Sequence, residues 1–132
     1  MPDLKNAKVI GAGFDSAVEV VRAVYDFSVD GGQVEDNTVF TADSACLVRC
    51  IGVQVETAFT SGGSATIDLG IGTSGTQFAS GVAFSSFTAN AFVASASSAF
   101  VRMAAGNVIN MGVNVAALTA GKCEFIFEIC QA

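Results

Sequence analysis

The stretch "KCEFIFEICQ" (122–131) sets Cys123, Phe125, Phe127 and Ile129 on one side and Lys122, Glu124 and Glu128 on the other. A repeat of two is the signature of a strand with one face buried, because successive side chains leave a strand in opposite directions. The pattern recurs. "NVINMGVNV" (107–115) alternates Ile109, Met111, Val113 and Val115 with Asn110, Gly112 and Asn114, and "ATIDLGIG" (65–72) alternates Ala65, Ile67, Leu69 and Ile71 with Thr66, Asp68 and Gly70. Residues 46–59 place Ile51, Val53, Val55, Thr57 and Phe59 opposite Gln54 and Glu56. A chain that repeats this period so often has several half-buried strands, and packed sheets are what bury them.

Turn residues punctuate the runs. "TSGGS" (60–64) reads as a glycine loop joining the strands on either side into a hairpin. The glycine of "AALTAGK" (116–122) reads as a turn that makes the last two strands an antiparallel hairpin or near neighbours. "SVDGGQ" (28–33) closes the run "AVEVVRAVYDF" (17–27), in which Val18, Val21 and Tyr25 also satisfy a helical spacing. Its β-branched residues and the Asp-Gly-Gly that follows favour a strand. In the Ser/Ala/Gly-rich stretch 73–98, the spaced Phe78, Phe84, Phe87 and Phe92, with Phe100 beyond, argue for folded strands rather than a linker; core packing is the default for the rings of 78–100, and lining the axis of a trimer is the alternative. The expected architecture is all-β: an antiparallel β-sandwich, jelly-roll-like, of about eight short strands. It occupies one domain, 17–132, behind an N-terminal arm or flexible tail, 1–16.

The candidate chemistries fail one by one. "KVIGAGFDSA" (8–17) opens like a dinucleotide-binding turn, yet Gly11 and Gly13 are followed by Ser16 at the third glycine position. No alternation of strands with long helices follows either. The chain has no His, which removes the commonest general base and most zinc ligands. Cys46 and Cys50, on one face of a strand, are about 13 Å apart and too far to bond, so all four cysteines are expected as reduced, semi-buried residues. Asp26, Asp30, Asp36 and Asp43 lack the spacing of a calcium loop, and Glu56 and Asp68 lie on polar faces rather than in a buried acid pair. Lys122 has no indicated nucleophile beside it. No catalytic, cofactor-binding or metal-ligating residue is assigned, and neither a cofactor nor a small-molecule substrate is expected.

Six basic against twelve acidic residues give a net charge of −6, and Lys5, Lys8, Arg22, Arg49, Arg102 and Lys122 are scattered. Nucleic acid is therefore not an expected partner. The N-terminal residues do not read as a signal peptide and no apolar run is long enough for a membrane helix, so the expectation is a chain made and assembled in the cytoplasm. Only 14% of residues are charged, against a usual quarter, which suits subunit contacts better than a free monomer.

Three phrases together carry a resemblance: "RAVYDFSVDGG" (22–32), "ETAFTSGGSATIDLGIGTSGTQF" (56–78) and "ALTAGKCEFIFEI" (117–129). Over roughly residues 17–130 the chain resembles the capsid decoration, or cement, proteins of tailed bacteriophages. The four cysteines and the N-terminal "MPDLKNAKVIGAGF" depart from the commoner pattern. The resemblance implies a β-sandwich or jelly-roll subunit, often a homotrimer, seated at threefold or quasi-threefold positions outside a major capsid shell. It implies a virion location and a stabilising rather than catalytic role, with the major capsid protein as partner. The competing reading is a phage fibre or a carbohydrate- or host-surface-binding module. Against it stand the absence of Trp and the single Tyr25, since sugars usually stack on such rings.

Overall fold

The computed structural model describes residues 18–131. They form two antiparallel sheets packed face to face, as expected, with nine strands rather than about eight. The strands are β1 (Glu19–Asp26), β2 (Asp36–Thr41), β3 (Cys46–Ser61), β4 (Thr66–Ile71), β5 (Ala79–Ala83), β6 (Phe92–Ala94), β7 (Val101–Met103), β8 (Val108–Asn114) and β9 (Leu118–Gln131). Two of them are long, β3 with 16 residues and β9 with 14. The first sheet runs β1-β9-β3, with β6 and β7 both on the far edge of β3; the second runs β2-β8-β4-β5.

The ambiguous run 17–27 is a strand over Glu19–Asp26, paired with β9 through eight consecutive partners. The turn at 28–33 begins as a single helical turn, α1 (Phe27–Asp30). Asp26 caps it by accepting the Ser28 N–H at 2.9 Å, and Gly31, with φ 76°, ends it.

The core matches the alternation of β4, β8 and β9. Ile67, Leu69, Ile109, Met111, Val113, Phe125, Phe127 and Ile129 are all buried. Phe127 ties the layers together: it stacks on Phe40 at 6.1 Å and meets the edge of Phe78 at 6.2 Å. A second aromatic group places Phe59 between Tyr25 at 5.7 Å and Phe87 at 4.8 Å. Burying each such ring is worth roughly 1.5–3 kcal/mol.

Four expectations need correction. First, "TSGGS" does not make a hairpin: β3 and β4 belong to different sheets, and the loop crosses between layers. A Cβ on its Gly63 would stand 2.9 Å from the Cβ of Ala116, so the loop packs against the β8–β9 connection. Second, β8 and β9 also lie in different sheets, and Gly121 is inside β9 rather than in a turn. Third, β3 does not keep one period. Cys46, Val48 and Cys50 face inward, the register shifts between Cys50 and Gly52, and Val53 and Val55 face inward after it. Ile51 is thereby turned outward, and a further shift near Thr57 exposes that residue and returns Phe59 to the core. Fourth, Val115 does not extend the buried row of β8; the chain turns there with φ 72°, and the side chain is 74% exposed.

The phenylalanines of 78–100 divide. Phe78 and Phe87 are buried and Phe84 packs on the core, whereas Phe92 and Phe100 are exposed. The proposed arm, 1–16, and Gly11, Gly13 and Ser16 with it, lie outside the described residues.

Candidate functional site

The residues tested for chemistry are held in structural roles. Asp68 sits on the outer face of β4 and accepts the Gly81 N–H at 2.6 Å and an Asn114 amide N–H at 2.7 Å. Asp36 accepts the Ser74 N–H at 3.0 Å. Asp30 accepts the Asp26 N–H at 2.9 Å, while the Asp26 carboxylate takes both the N–H and the hydroxyl of Ser28. These two hydrogen bonds hold the Asp26 carboxyl below its ordinary value. Asp43 lies in the β2–β3 loop. Glu56 is on the exposed face of β3, 3.4 Å from Lys122 Nζ, which also approaches Asp26 at 4.0 Å. Among the described residues no three His, Cys, Asp or Glu side chains gather as a metal site.

All four cysteines are free thiols, with Cys46, Cys50 and Cys123 buried and Cys130 partly so. Burial raises the thiols of Cys46, Cys50 and Cys123, Cys50 to about 11 and Cys123 to about 12. Such thiols are packing groups, since nucleophilic cysteines need the opposite shift. Tyr25 is equally committed: it is buried, and its hydroxyl donates to the Gly31 carbonyl at 2.7 Å. Its ring is not a platform for a sugar.

Three concavities stand out on the described surface. One of about 80 Å³ lies between the β1 and β2 edges, beside Tyr25 and Met111. Another of about 140 Å³ lies on the first sheet, between Val24, Gln54 and Lys122. The third, about 300 Å³, opens between β6 and β7 over Arg49, Cys50 and Ile51. Arg49 is already occupied there: its Nε and Nη2 reach Glu128 Oε1 at 2.6 and 2.5 Å, and its guanidinium lies 5.1 Å over the Phe100 ring. None of the three brings together a base, a nucleophile and an oxyanion donor.

Apolar surface is more informative. Apart from Val18, just ahead of β1, the exposed large hydrophobic side chains of the described residues fall into two groups. Val20 and Val24 of β1, Ile51 of β3, and Phe92 and Phe100 beside it lie on the outer face of the first sheet. Val20, Val24 and Phe92 pair with the outward-facing Glu128, Glu124 and Gln54, and Phe100 lies against the Arg49 guanidinium. The second group, Val29, Val34 and Val115, lies on loops at one end of the sandwich. Sequence patterning put Ile51 and Val115 in the core, and Phe92 and Phe100 among core candidates. Only the glycine after Ile51 hinted at a bulge. Comparison with known protein families, with curated proteins and with solved structures finds no match. No helix among the described residues is long and apolar enough to cross a membrane.

Proposed function

We propose that this chain is a structural protein of a phage virion, a capsid decoration protein that binds the outside of the major capsid shell and stabilises it as a homotrimer. The observation that carries this reading is the five apolar side chains exposed on the outer face of the first sheet, Val20 and Val24 on β1 and Ile51, Phe92 and Phe100 about β3, with Glu124 and Glu128 of β9 between the two sets. Their exposure runs from 37% for Ile51 to 59% for Val24, on a chain with few charges to keep such a face solvated. The ion pairs among them, Arg22–Glu124 at 3.2 Å and Arg49–Glu128, neutralise much of the remaining charge, so the face is suited to burial against a neighbour.

Two further features support it. We read the sheet orders β1-β9-β3-β6 and β2-β8-β4-β5, with repeated crossings between layers, as jelly-roll connectivity, the subunit type implied by the resemblance to cement proteins. The free edge of β1 is the longest undisturbed one among the described residues. The edge strand β2 has a register shift at Thr38/Phe40, β5 has Gly81 at φ 57°, and β6 and β7 are three residues each. An unblunted edge is a surface on which another chain can pair.

The test is mass by light scattering across a dilution series, followed by co-sedimentation with empty heads built from the major capsid protein of the same genome. A species near three times 13.4 kDa that sediments with heads supports the reading. A stable monomer that stays in the supernatant refutes it.

A further inference from the structure

The two ends of the sandwich are built differently. At one end the β1–β2 loop (27–35), the β3–β4 loop (62–65) and the β8–β9 connection (115–117) are tied together. The Leu118 N–H donates to Gly32 O at 2.8 Å, the Val113 N–H to Glu35 O at 3.0 Å, and the Ser61 hydroxyl to Ala117 O at 2.8 Å. From this joined surface project Val29, 80% exposed, Val34, 55%, and Val115, 74%. Among the described residues, the loops of the opposite end, 42–45, 72–78 and 104–107, carry no exposed large hydrophobic side chain.

Val115 is the telling residue. Its φ of 72° is in the left-handed region, where a β-branched side chain is a true outlier and Gly or Asn is the usual occupant. In the free chain its side chain gains little burial to offset that strain. The turn is held by the Ala116 N–H on Asn114 O at 2.9 Å, and a strained position fixed in this way on an exposed surface points to a contact made in an assembly. Charge gives the partner's chemistry. Residues 27–35, 62–65 and 115–117 contain no Lys or Arg, while Asp30 and Glu35 are exposed among them.

We propose that this end, with Val29, Val34 and Val115 as its apolar contacts and Asp30 and Glu35 as its charges, is the face that seats on the capsid shell. Its counterpart is an apolar depression on the major capsid protein bordered by lysine or arginine side chains. The inference rests on the decoration reading and adds to it the end that faces the shell. The outer face of the first sheet is left for contacts between copies.

The experiment compares wild type, Val115→Asn, Glu35→Lys and Ile51→Ser in sedimentation with the same empty heads, alongside light-scattering mass and urea unfolding. Asn accepts the left-handed backbone, so V115N is expected to unfold at the same or higher urea concentration. It is expected to bind heads at least tenfold more weakly, because each trimer loses the contact three times. E35K is expected to weaken binding as well, with its mass unchanged. I51S is expected to dissociate the trimer on dilution. Wild-type binding that is unchanged in both V115N and E35K overturns the inference while leaving the decoration reading in place. Failure of wild type to bind heads at all overturns both.

Discussion

Replacing Gly121 with alanine tests whether this glycine is a packing residue of β9. Its φ is 147°, and a Cβ there would stand 2.5 Å from Phe59 Cδ1, 3.0 Å from Cε1 and 3.1 Å from Cγ. Phe59 cannot swing away freely, since it is held between Tyr25 and Phe87. A non-glycine residue in a sparsely populated backbone region costs about 1–3 kcal/mol. Forcing an extra methyl into a packed core costs about another 1–3 kcal/mol. The expected destabilisation of G121A is therefore about 4 kcal/mol, or a fall of about 2.7 M in urea midpoint at a slope near 1.5 kcal/mol/M. Gly62→Ala is the control: no atom lies within 4 Å of its built Cβ, and a change within about 0.5 kcal/mol is expected. In a Phe59→Leu background, the penalty of G121A should shrink towards its backbone part. The reasoning is refuted if G121A unfolds within about 0.5 kcal/mol of wild type, or if the Phe59→Leu background leaves its penalty intact.

Thiol titration of the native protein with an aromatic disulfide reagent should modify Cys130 alone, with Cys46, Cys50 and Cys123 reacting only on unfolding, because those three are buried. Tyr25 is the only tyrosine and there is no tryptophan, so tyrosinate absorbance reports this one group. Burial, assisted by Asp30, Cys123 and Asp26, pushes it up to about 12. This stabilisation is full below the ordinary value of 10.0 and is lost as pH rises towards 12, so unfolding midpoints should fall across that window and less so in Tyr25→Phe. For Asp26 the sign is opposite: its lowered carboxyl contributes above the ordinary 3.8 and loses that contribution as pH falls through the lower folded-state value. Asp26→Ala should flatten the acid limb of the stability profile below pH 3.8, measured by circular dichroism.

Sequence alone determined the class of fold and the inward faces of β4, β8 and β9. Ile67 and Leu69, Ile109 to Val113, and Cys123 to Ile129 alternate without interruption, and a regular strand turns that alternation directly into one buried face. The strand over 19–26 was also legible, through its β-branched residues and the glycines behind it. Which strands pair was a tertiary matter. A short loop between two strands can close a hairpin or cross between layers, and 62–65 and 115–117 do the latter because the sandwich offers each strand a partner far off in sequence. For the same reason Gly121 marks a close approach of the Phe59 ring inside β9 rather than a turn. The bulge at Ile51 and the left-handed turn at Val115 each reverse a side chain without changing its identity, and so the surface that bears on function was invisible to a period count. Periodicity reports local geometry, whereas exposure is set by what the rest of the chain covers.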